Sequence, residues 1–428
     1  MHMLLLFMPM VSGTLLFGFK QLNFTFNNSQ EVFNFESKKV YESCVPTSFQ
    51  VNSQGKYFIS LPRLSDEIPA TLAEVVNTEI QPLLSPFPDW WSNNIQNQKS
   101  FGSITTFEID LEDNFWLVDN KKKALIKLSP TGEWLAEYDL NNAMKNNSSL
   151  VDMALDLDRG FAYISDQGAP GIIVVNIALD ESMMFLFNHF TVKPDPSFWI
   201  TINNQRVYND TTEYVKAIGG IALSCDKRDL YYSPVTSREL FAISTQYLRN
   251  FNATLASRKT VYLGYKNTAS QGVVISEKGH MYLTDISESN VLFYEQMMPY
   301  PDYFLVYFLR HVMNESTTFL WPYSLSFDNN KMSLLVLANQ IHNFNQKTIN
   351  FVTPIYGEYN YWVYEVYVND RSYLYRCKDV VSVHSEIDIP VWIYALISIL
   401  SLIMITLTIC AVKHYRMIKK RHMTLIYN

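Results

Sequence analysis

Short strand-like runs separated by polar turns dominate the chain between its two ends. These runs are rich in Val, Ile, Tyr and Phe, are bounded by Asp, Asn, Gly and Ser, and lack the 3.6-residue period of helices. A unit of strand, polar turn and second strand recurs five times: GSITTFEIDLEDNFWLVDN, VDMALDLDRGFAYISD, GGIALSCDKRDLYYSP, QGVVISEKGHMYLTD and PYSLSFDNNKMSLLVLAN. Successive units are roughly 50 residues apart, which is the scale of a four-stranded propeller blade with its loops.

The number of units predicts an all-β, six-bladed β-propeller over residues 20–380. Two further strand-like runs, at 56–61 and 362–368, lie outside the five units. Pairing the N- and C-terminal strands of the domain would close the sixth blade and remove its sheet edges.

The N-terminal run MHMLLLFMPM, followed by Ser12 and Gly13, has the size and polarity of a secretory signal h-region. Its n-region lacks Lys and Arg, and an ordinary buried segment is the alternative. The pattern predicts a signal peptide over residues 1–19, with cleavage between Gly13 and Phe19.

A second apolar run, VWIYALISILSLIMITLTICAV at residues 391–412, contains no charge. As a helix it would be about 33 Å long, enough to cross a bilayer core. Acidic residues precede the run and five Lys and Arg residues follow it, which a buried core helix would not require. We predict a linker over 381–390, a transmembrane helix over 391–412 and a cytoplasmic tail over 413–428. With a signal peptide this is a single-pass type I protein of the plasma membrane, with an extracellular propeller.

Acceptor triplets for N-glycosylation agree with that topology, because all of them lie on the predicted outside. They occur at Asn23, Asn27, Asn146, Asn147, Asn209, Asn252 and Asn314.

Cysteines are sparse, and no spacing among them indicates zinc. An oxidising compartment permits one disulfide among Cys44, Cys225 and Cys377. Pairing Cys44 with Cys377 would join the two ends of the folded region, and this is the pairing we expect.

The overall charge argues against nucleic acid as a partner. Lys and Arg number 34 against 41 Asp and Glu, a formal charge of −7, so no general basic field faces a phosphate backbone.

Four strings, in order along the chain, resemble the yellow and major royal jelly protein family of insects. They are IPATLAEVVNTEIQPLLSPFPDW at 68–90, AYISDQGAPGIIVVNI at 162–177, SPVTSRELFAISTQYLRN at 233–250 and LVLANQIHNF at 335–344. The resemblance implies a secreted six-bladed propeller that serves in cuticle pigmentation and melanin-linked chemistry, as a nutritive jelly protein, or as a salivary binder of amines such as serotonin and dopamine.

Three departures from the family mark a divergent, membrane-tethered relative. The cysteine pair that usually brackets the strand at 103–113 is missing, and so is a second pair in the fifth blade. The familiar members are also soluble, whereas this chain carries a predicted span.

The ends of the second strands supply the first candidate site. Asp119, Asp166, Asp285 and Asn339 recur at equivalent positions and would form a ring of oxygen acceptors at a channel mouth. Converging carboxylates would favour a bound cation, either an alkylammonium or calcium. The alternative is that these side chains bond the backbone of their own turns.

The resemblance implies a second set of contacts. In amine-binding relatives, the segment matched by LANQIHNF supplies an Asn and a Phe to the ligand pocket, which fall on Asn339 and Phe344, and Tyr323 or Ser324 would be a third contact. Phe344 could stack on an indole or catechol ring, with core packing as its alternative.

Enzymatic signatures are weak. The sequence has no HExxH or GxSxG motif and nominates no acid/base pair. Together with the resemblance, which implies amine binding, this favours a membrane-anchored propeller that binds a small aromatic amine over an enzyme, with no cofactor unless calcium binds. An extracellular enzyme of dopachrome conversion and a tethered protein-interaction module, whose partner the sequence does not name, are the alternatives.

Overall fold

The computed structural model describes residues 13–78, 81–202, 204–209, 211–266, 268–294, 310–311, 319–355, 358–375 and 377. These residues belong to the first of two compact units of the chain, Met1–His384. They form six four-stranded antiparallel sheets and two short hairpins, which confirms the predicted all-β, six-bladed propeller.

The first strand of the chain belongs to the last blade, and three complete blades follow it. The strands are β1 (Thr14–Phe19); β2 (Ser48–Val51), β3 (Tyr57–Ser60), β4 (Leu72–Val76) and β5 (Leu83–Pro86) in blade 1; β6 (Ile104–Ile109), β7 (Phe115–Asp119), β8 (Ala124–Leu128) and β9 (Trp134–Asp139) in blade 2; and β10 (Leu150–Asp156), β11 (Phe161–Asp166), β12 (Gly171–Asn176) and β13 (Glu181–Phe185) in blade 3.

Two hairpins separate these blades from the last three. The strands are β14 (Thr201–Ile202), β15 (Gln205–Arg206), β16 (Tyr208–Asn209) and β17 (Thr212–Glu213) in the hairpins; β18 (Ile218–Leu223), β19 (Asp229–Pro234), β20 (Glu239–Ser244) and β21 (Thr260–Tyr265) in blade 4; β22 (Val273–Ile275), β23 (Met281–Asp285), β24 (Asn290–Tyr294) and β25 (Arg310–His311) in blade 5; and β26 (Pro322–Asp328), β27 (Ser333–Ala338) and β28 (Tyr361–Tyr367) in blade 6.

Helices are short and lie in the connections. They are α1 (Ser29–Ser37), α2 (Trp90–Asn93), α3 (Thr245–Arg249), α4 (Ala253–Ser257) and α5 (Ile341–Asn345), with 3₁₀ turns at Val40–Ser43 and Phe190–Val192.

The burial of each strand follows from its place in the blade. Strands β7 and β27 are buried at every position, because neighbouring blades pack on both of their faces. The outermost strand β9 instead alternates between half-buried and exposed residues. The innermost strands β2, β6, β10, β18, β22 and β26 surround the propeller axis. We call the mouth where these strands begin the upper mouth, and the mouth where they end the lower mouth.

The two ends of the domain close the sixth blade. Strand β1 pairs with β28, with Phe19 opposite Tyr361 and Thr14 opposite Glu365, and the predicted closure is therefore confirmed. Phe17 and Phe19 are buried in the core that joins blades 6 and 1. The described propeller thus includes Thr14–Phe19, which precede the predicted boundary at residue 20.

The predicted pairing of Cys44 with Cys377 is wrong. Cys225 bonds Cys377, whereas Cys44 is a buried free thiol whose Sγ lies 3.6 Å from the carbonyl oxygen of Val40. The direction of the strands explains the difference. Strand β28 runs from the upper to the lower mouth, where Cys225 follows the end of β18, while Cys44 lies before the start of β2 at the upper mouth.

Within the described part of the chain, no helix is long and apolar enough to cross a membrane. The predicted linker (381–390), span (391–412) and tail (413–428) lie outside the described residues, as do residues 1–12 of the predicted signal peptide.

Candidate functional site

The innermost strands enclose a cavity of about 40 Å³ on the propeller axis. One water needs about 10–15 Å³ on this scale, so the cavity holds about three waters. Its polar lining residues are Thr47, Ser48, Gln50, Thr106, Glu108, Asp152, Gln271, Tyr323, Ser324 and Tyr373. A second cavity of about 30 Å³ toward the lower mouth shares Gln50, Glu108 and Tyr373 with the first.

Two glycines explain why the cavity is narrow. A Cβ at Gly220 would lie 2.7 Å from the backbone nitrogen of Val273, and one at Gly272 would lie 2.8 Å from the carbonyl oxygen of Tyr323. Neighbouring innermost strands therefore approach each other more closely here than any side chain at these positions would allow.

Glu108 reaches the cavity because of the two-residue period of β6. Thr106 and Glu108 face the axis, while Phe107 is buried in the core of the blade. The Nε2 of Gln50 donates to Glu108 Oε2 at 3.0 Å. Burial, followed by the negative charge of Asp152, raises the pKa of Glu108 to about 8, and the bond from Gln50 opposes this rise.

Asp152 reaches the cavity from β10, the neighbouring innermost strand. Its Oδ2 accepts a hydrogen bond from the backbone nitrogen of Ile221 at 2.9 Å, which links blade 3 to blade 4. Burial raises the pKa of Asp152 to about 7, against the lowering effect of backbone N–H groups at Ile221 and Met153. Two carboxyl groups that change charge near neutral pH therefore share one enclosed space.

The rest of the lining does not neutralise these carboxyls. None of the described lining residues is Lys, Arg or His. Burial, followed by the charge of Asp152, raises the pKa of Tyr323 well above its usual range, so its hydroxyl stays protonated. Such a cavity favours either protons on the two carboxyls or a positively charged guest.

Both mouths of the channel are covered. At the upper mouth the hairpins β14–β17 pack in an apolar cluster around the fully buried Trp321. At the lower mouth the chain after β28 crosses the axis, and the hydroxyl of Tyr373 accepts a hydrogen bond from the backbone nitrogen of Leu155 at 2.7 Å.

The acidic residues predicted as ligands anchor loops instead. Asp119 accepts hydrogen bonds from the backbone nitrogens of Gly102 at 2.6 Å and Ser103 at 2.8 Å, just before β6. Asp166 accepts from Ser149 at 2.8 Å, just before β10. Both side chains are buried outside the cavity lining, so the structure gives them the turn role that was the alternative.

Asp285 and Asn339 have equivalent roles. Asp285 accepts from the hydroxyl of Thr268 and from the backbone nitrogen of Glu288. Asn339 Nδ2 donates to the carbonyl oxygen of Pro46 at 2.8 Å, which ties blade 6 to blade 1. Neither lines the cavity.

Of the contacts implied by the resemblance, Tyr323 and Ser324 line the cavity and Phe344 does not. Phe344 lies on α5 and packs against the core between blades 6 and 1.

The sequence analysis missed Glu108 and Asp152. Their signal is a carboxylate that precedes an apolar residue inside an innermost strand, Glu108 in ITTFEI and Asp152 in LVDMALD. Burying a charge is costly, so an acid in the middle of an innermost strand marks a polar interior.

Among the described residues, no group of three or more His, Cys, Asp or Glu side chains is arranged to hold a metal ion. Asp119, Asp166 and Asp285, the predicted carboxylate ligands, lie apart on separate blades.

The predicted glycosylation sites differ in exposure. Asn27, Asn146, Asn147 and Asn252 are exposed, and Asn23 is half-buried. Asn209 lies in β16, and Asn314 lies outside the described residues. Glycosylation itself stays a prediction.

The sequence of this chain is similar to those of known proteins. Residues 127–370, more than half of the chain, match the family described as "Major royal jelly protein". Major royal jelly protein 3 of Apis mellifera is 25% identical over 259 residues, which cover 55% of this chain and 46% of that protein. Protein yellow of Drosophila erecta is 24% identical over 387 residues, which cover 81% of this chain and 67% of that protein.

Among solved structures, regucalcin of Agrobacterium tumefaciens aligns with a TM-score of 0.46 and 11% identity, over 77% of this chain and 93% of that chain. The chain spans about half the length of the royal jelly proteins that it matches, 46% of protein 3 and 58% of protein 1. The family match confirms the expected resemblance, and this chain therefore belongs to the yellow and major royal jelly protein family.

Proposed function

We propose that this protein is a membrane-anchored member of its family that binds a small aromatic amine in the central cavity. The observation that carries the proposal is the pair of carboxyls, Glu108 and Asp152, facing one enclosed space without a basic partner in its lining. An ammonium group would pair with one or both carboxylates, and in a space of low dielectric constant that attraction exceeds the one in water.

The size of the cavity sets a condition on this binding. A space for about three waters is too small for an indole or catechol ring, so the lining must move to admit one. Tyr323 offers its ring for stacking or for a cation–π contact with the bound amine.

Binding of a cation would also displace protons. Because the pKa values of Glu108 and Asp152 are about 8 and 7, the pair retains protons near neutral pH, and an incoming ammonium would release them. The apparent affinity should therefore rise as the pH increases from 6 to 9.

Calorimetric titration of the full-length protein, purified in a mild detergent, with serotonin, dopamine and octopamine tests the proposal. We expect saturable binding that weakens at least tenfold in Glu108→Gln and in Asp152→Asn, because each substitution removes one negative charge from the cavity. Phe344→Ala is the matched control, since Phe344 does not line the cavity. Absence of heat with the folded protein would instead favour the tethered protein-interaction module, which needs no open channel.

A second candidate, an extracellular enzyme of the dopachrome-conversion type, is favoured by the same two pKa values. General acid–base catalysts work best when their pKa lies near the operating pH, and one carboxylate could remove a proton while the other acid returns one. Loss of dopachrome absorbance measured with the wild type and the two cavity variants distinguishes an enzyme from a binder. Only an enzyme gives turnover that both substitutions abolish.

The topology belongs to the same proposal. We infer that residues 391–412 anchor the protein in the plasma membrane, with an extracellular glycosylated propeller and a cytoplasmic tail. Extraction at alkaline pH and removal of N-glycans test this. The protein should stay in the membrane pellet, and its electrophoretic mass should fall after glycosidase treatment.

A further inference from the structure

The segment that follows β28 covers the lower mouth of the channel. We call the described residues 369–375 and 377 the C-terminal plug. The backbone nitrogen of Tyr373 donates to the carbonyl oxygen of Ile275 at 3.0 Å, and that of Glu277 donates to the carbonyl oxygen of Arg371 at 2.9 Å. These bonds attach the plug to blade 5.

The first residues of the plug are anchored through a buried carboxylate. Asp370 is fully buried, and its Oδ2 lies 2.7 Å from His280 Nδ1 and 3.2 Å from the hydroxyl of Tyr282. The backbone nitrogen of Ser372 donates to Asn329 Oδ1 in the turn of blade 6. The N-terminal end of the plug, which continues the chain from β28 of blade 6, is therefore also held to blades 5 and 6 by hydrogen bonds.

The far end of the plug is fixed covalently. Past the axis, Tyr373 and Leu374 line the cavities, and Cys377 forms a disulfide with Cys225 in blade 4. Tyr373 is the only described residue outside the innermost strands and their immediate flanks that lines the first cavity, the one of about 40 Å³. The plug is thus the floor of the site that holds Glu108 and Asp152.

The upper mouth is covered by the hairpins β14–β17 and their apolar cluster, and not by a single segment like the plug. No described residue of the hairpins β14–β17 lines the cavity. Their cluster includes Phe198, Ile200, Tyr214 and Trp321, so lifting them would expose several large apolar side chains to water. Moving the plug would expose chiefly Tyr373 and Leu374, which makes the lower mouth the easier route.

We propose that the C-terminal plug is a gate to the central cavity, held closed by the Cys225–Cys377 disulfide. Opening requires a dithiol reductant, which gives two electrons and two protons to the disulfide, leaving two thiols, and departs as its own disulfide. The freed end of the plug can then swing away from the axis, while Asp370 keeps the other end in place. This inference rests on the proposed function for the identity of the guest, but the gate itself can be tested without any amine.

The test introduces a reporter thiol into the cavity wall. Ser324 lines the cavity, and its hydroxyl has no hydrogen-bond partner in the described structure, so Ser324→Cys removes no bond. The full-length variant is labelled with 2-aminoethyl methanethiosulfonate, and modification of residue 324 is followed by peptide mass. The rate is compared between Ser324→Cys alone and Ser324→Cys combined with Cys225→Ser and Cys377→Ser.

We expect the labelling rate to rise at least tenfold when the disulfide is absent. Equal rates would overturn the proposal, whether or not the amine titrations succeed. Tyr214→Phe, which removes the hydrogen bond from Asn345 at the upper mouth, is the matched control and should leave the rate unchanged. A rise in that control equal to the rise without the disulfide would place the route at the upper mouth and would also overturn the gate.

Cys44 provides an internal check on folding. It is fully buried, and burial raises its pKa to about 12, so it reacts only if the propeller unfolds. Labelling of residue 324 without labelling of Cys44 therefore supports local opening, whereas parallel labelling of both overturns it. If the double serine variant does not fold, the same comparison is made on Ser324→Cys protein that has been reduced with a dithiol and then freed of it by gel filtration.

Discussion

Acidic side chains occupy two environments in this propeller, and the strand that carries them decides which. Asp119 ends β7, the second strand of its blade, and its two oxygens accept backbone N–H groups of the loop that leads into β6. Glu108 lies within β6 itself, where the strand period points it toward the axis. The first arrangement stabilises a carboxylate by direct hydrogen bonds, while the second leaves it poorly solvated and raises its pKa.

Stability should therefore fall as the pH rises through neutrality. Glu108 and Asp152 have a higher pKa in the folded chain than in the unfolded one, so the folded state binds protons more tightly. Their contribution is complete below the ordinary pKa values of 4.5 and 3.8, and it is lost as the pH rises through about 7 and 8.

Thermal unfolding between pH 5 and 9 measures this effect. Glu108→Gln is neutral at every pH and should lose less stability than the wild type as the pH rises. At pH 8 its free energy of unfolding should exceed that of the wild type by about 4 kcal/mol, the cost of ionising a group whose pKa folding raises from 4.5 to about 8. Glu137→Gln, at an exposed position of β9, is the control. Parallel pH curves for Glu108→Gln and the wild type would contradict the assignment.

At the scale of elements, β1 is only six residues long, yet it closes the ring of blades. Strand β1 covers the edge of β28, and its residues Phe17 and Phe19 enter the core between blades 6 and 1. The segment that resembles the end of a signal peptide is therefore also the strand that closes the ring. Cleavage after Gly13 would keep this strand, whereas cleavage after Phe19 would remove it.

Chains that begin at Thr14 and at Lys20 should differ strongly in stability. Loss of the two buried Phe side chains alone costs about 3–6 kcal/mol, and an exposed edge strand promotes association. Thermal unfolding and gel filtration of the two proteins test this, and sequencing the N-terminus of the mature protein shows which residue it starts with. Equal stability of the two chains would mean that β1 does not close the blade.

At the scale of the whole molecule, the disulfide connects parts of the chain that are 152 residues apart. It fixes the last described residue of the domain to blade 4 across the lower mouth, so it restrains both the unfolded chain and the floor of the cavity. Cys44 takes no part, because it lies in the core beside the opposite mouth.

Peptide mapping without reduction should find Cys225 joined to Cys377, and Cys44 alkylated only after denaturation. Replacing both bonded cysteines by serine should lower the free energy of unfolding by about 2–4 kcal/mol. Cys44→Ser serves as the comparison, since it should leave the disulfide intact. A Cys44–Cys377 peptide would contradict the structure.

Much of the fold was predictable from the sequence, and the central cavity was not. Repeated units define the blades because strand periodicity and turn chemistry are local properties. The same regularity predicted closure by the two ends and located β28, but it assigned Thr14–Phe19, the strand that pairs with β28, to the signal peptide. The recurrence of Asp119, Asp166 and Asp285 made them candidate ligands. They recur because blades repeat the same turn, in which the carboxylate accepts hydrogen bonds from backbone N–H groups. Glu108 and Asp152 do not recur. Their place inside a strand is a weak signal in the sequence, and only the tertiary structure shows that both side chains face one cavity.

The sequence by itself determined the all-β class, the six blades, the closure by the two ends and the family, since each follows from local patterns or from strings of residues. The tertiary structure alone decided the pairing of Cys225 with Cys377, the meeting of two carboxyls on the axis and the covering of both mouths. These depend on the direction in which each strand runs and on contacts between residues far apart in the chain, which no local pattern of residues records.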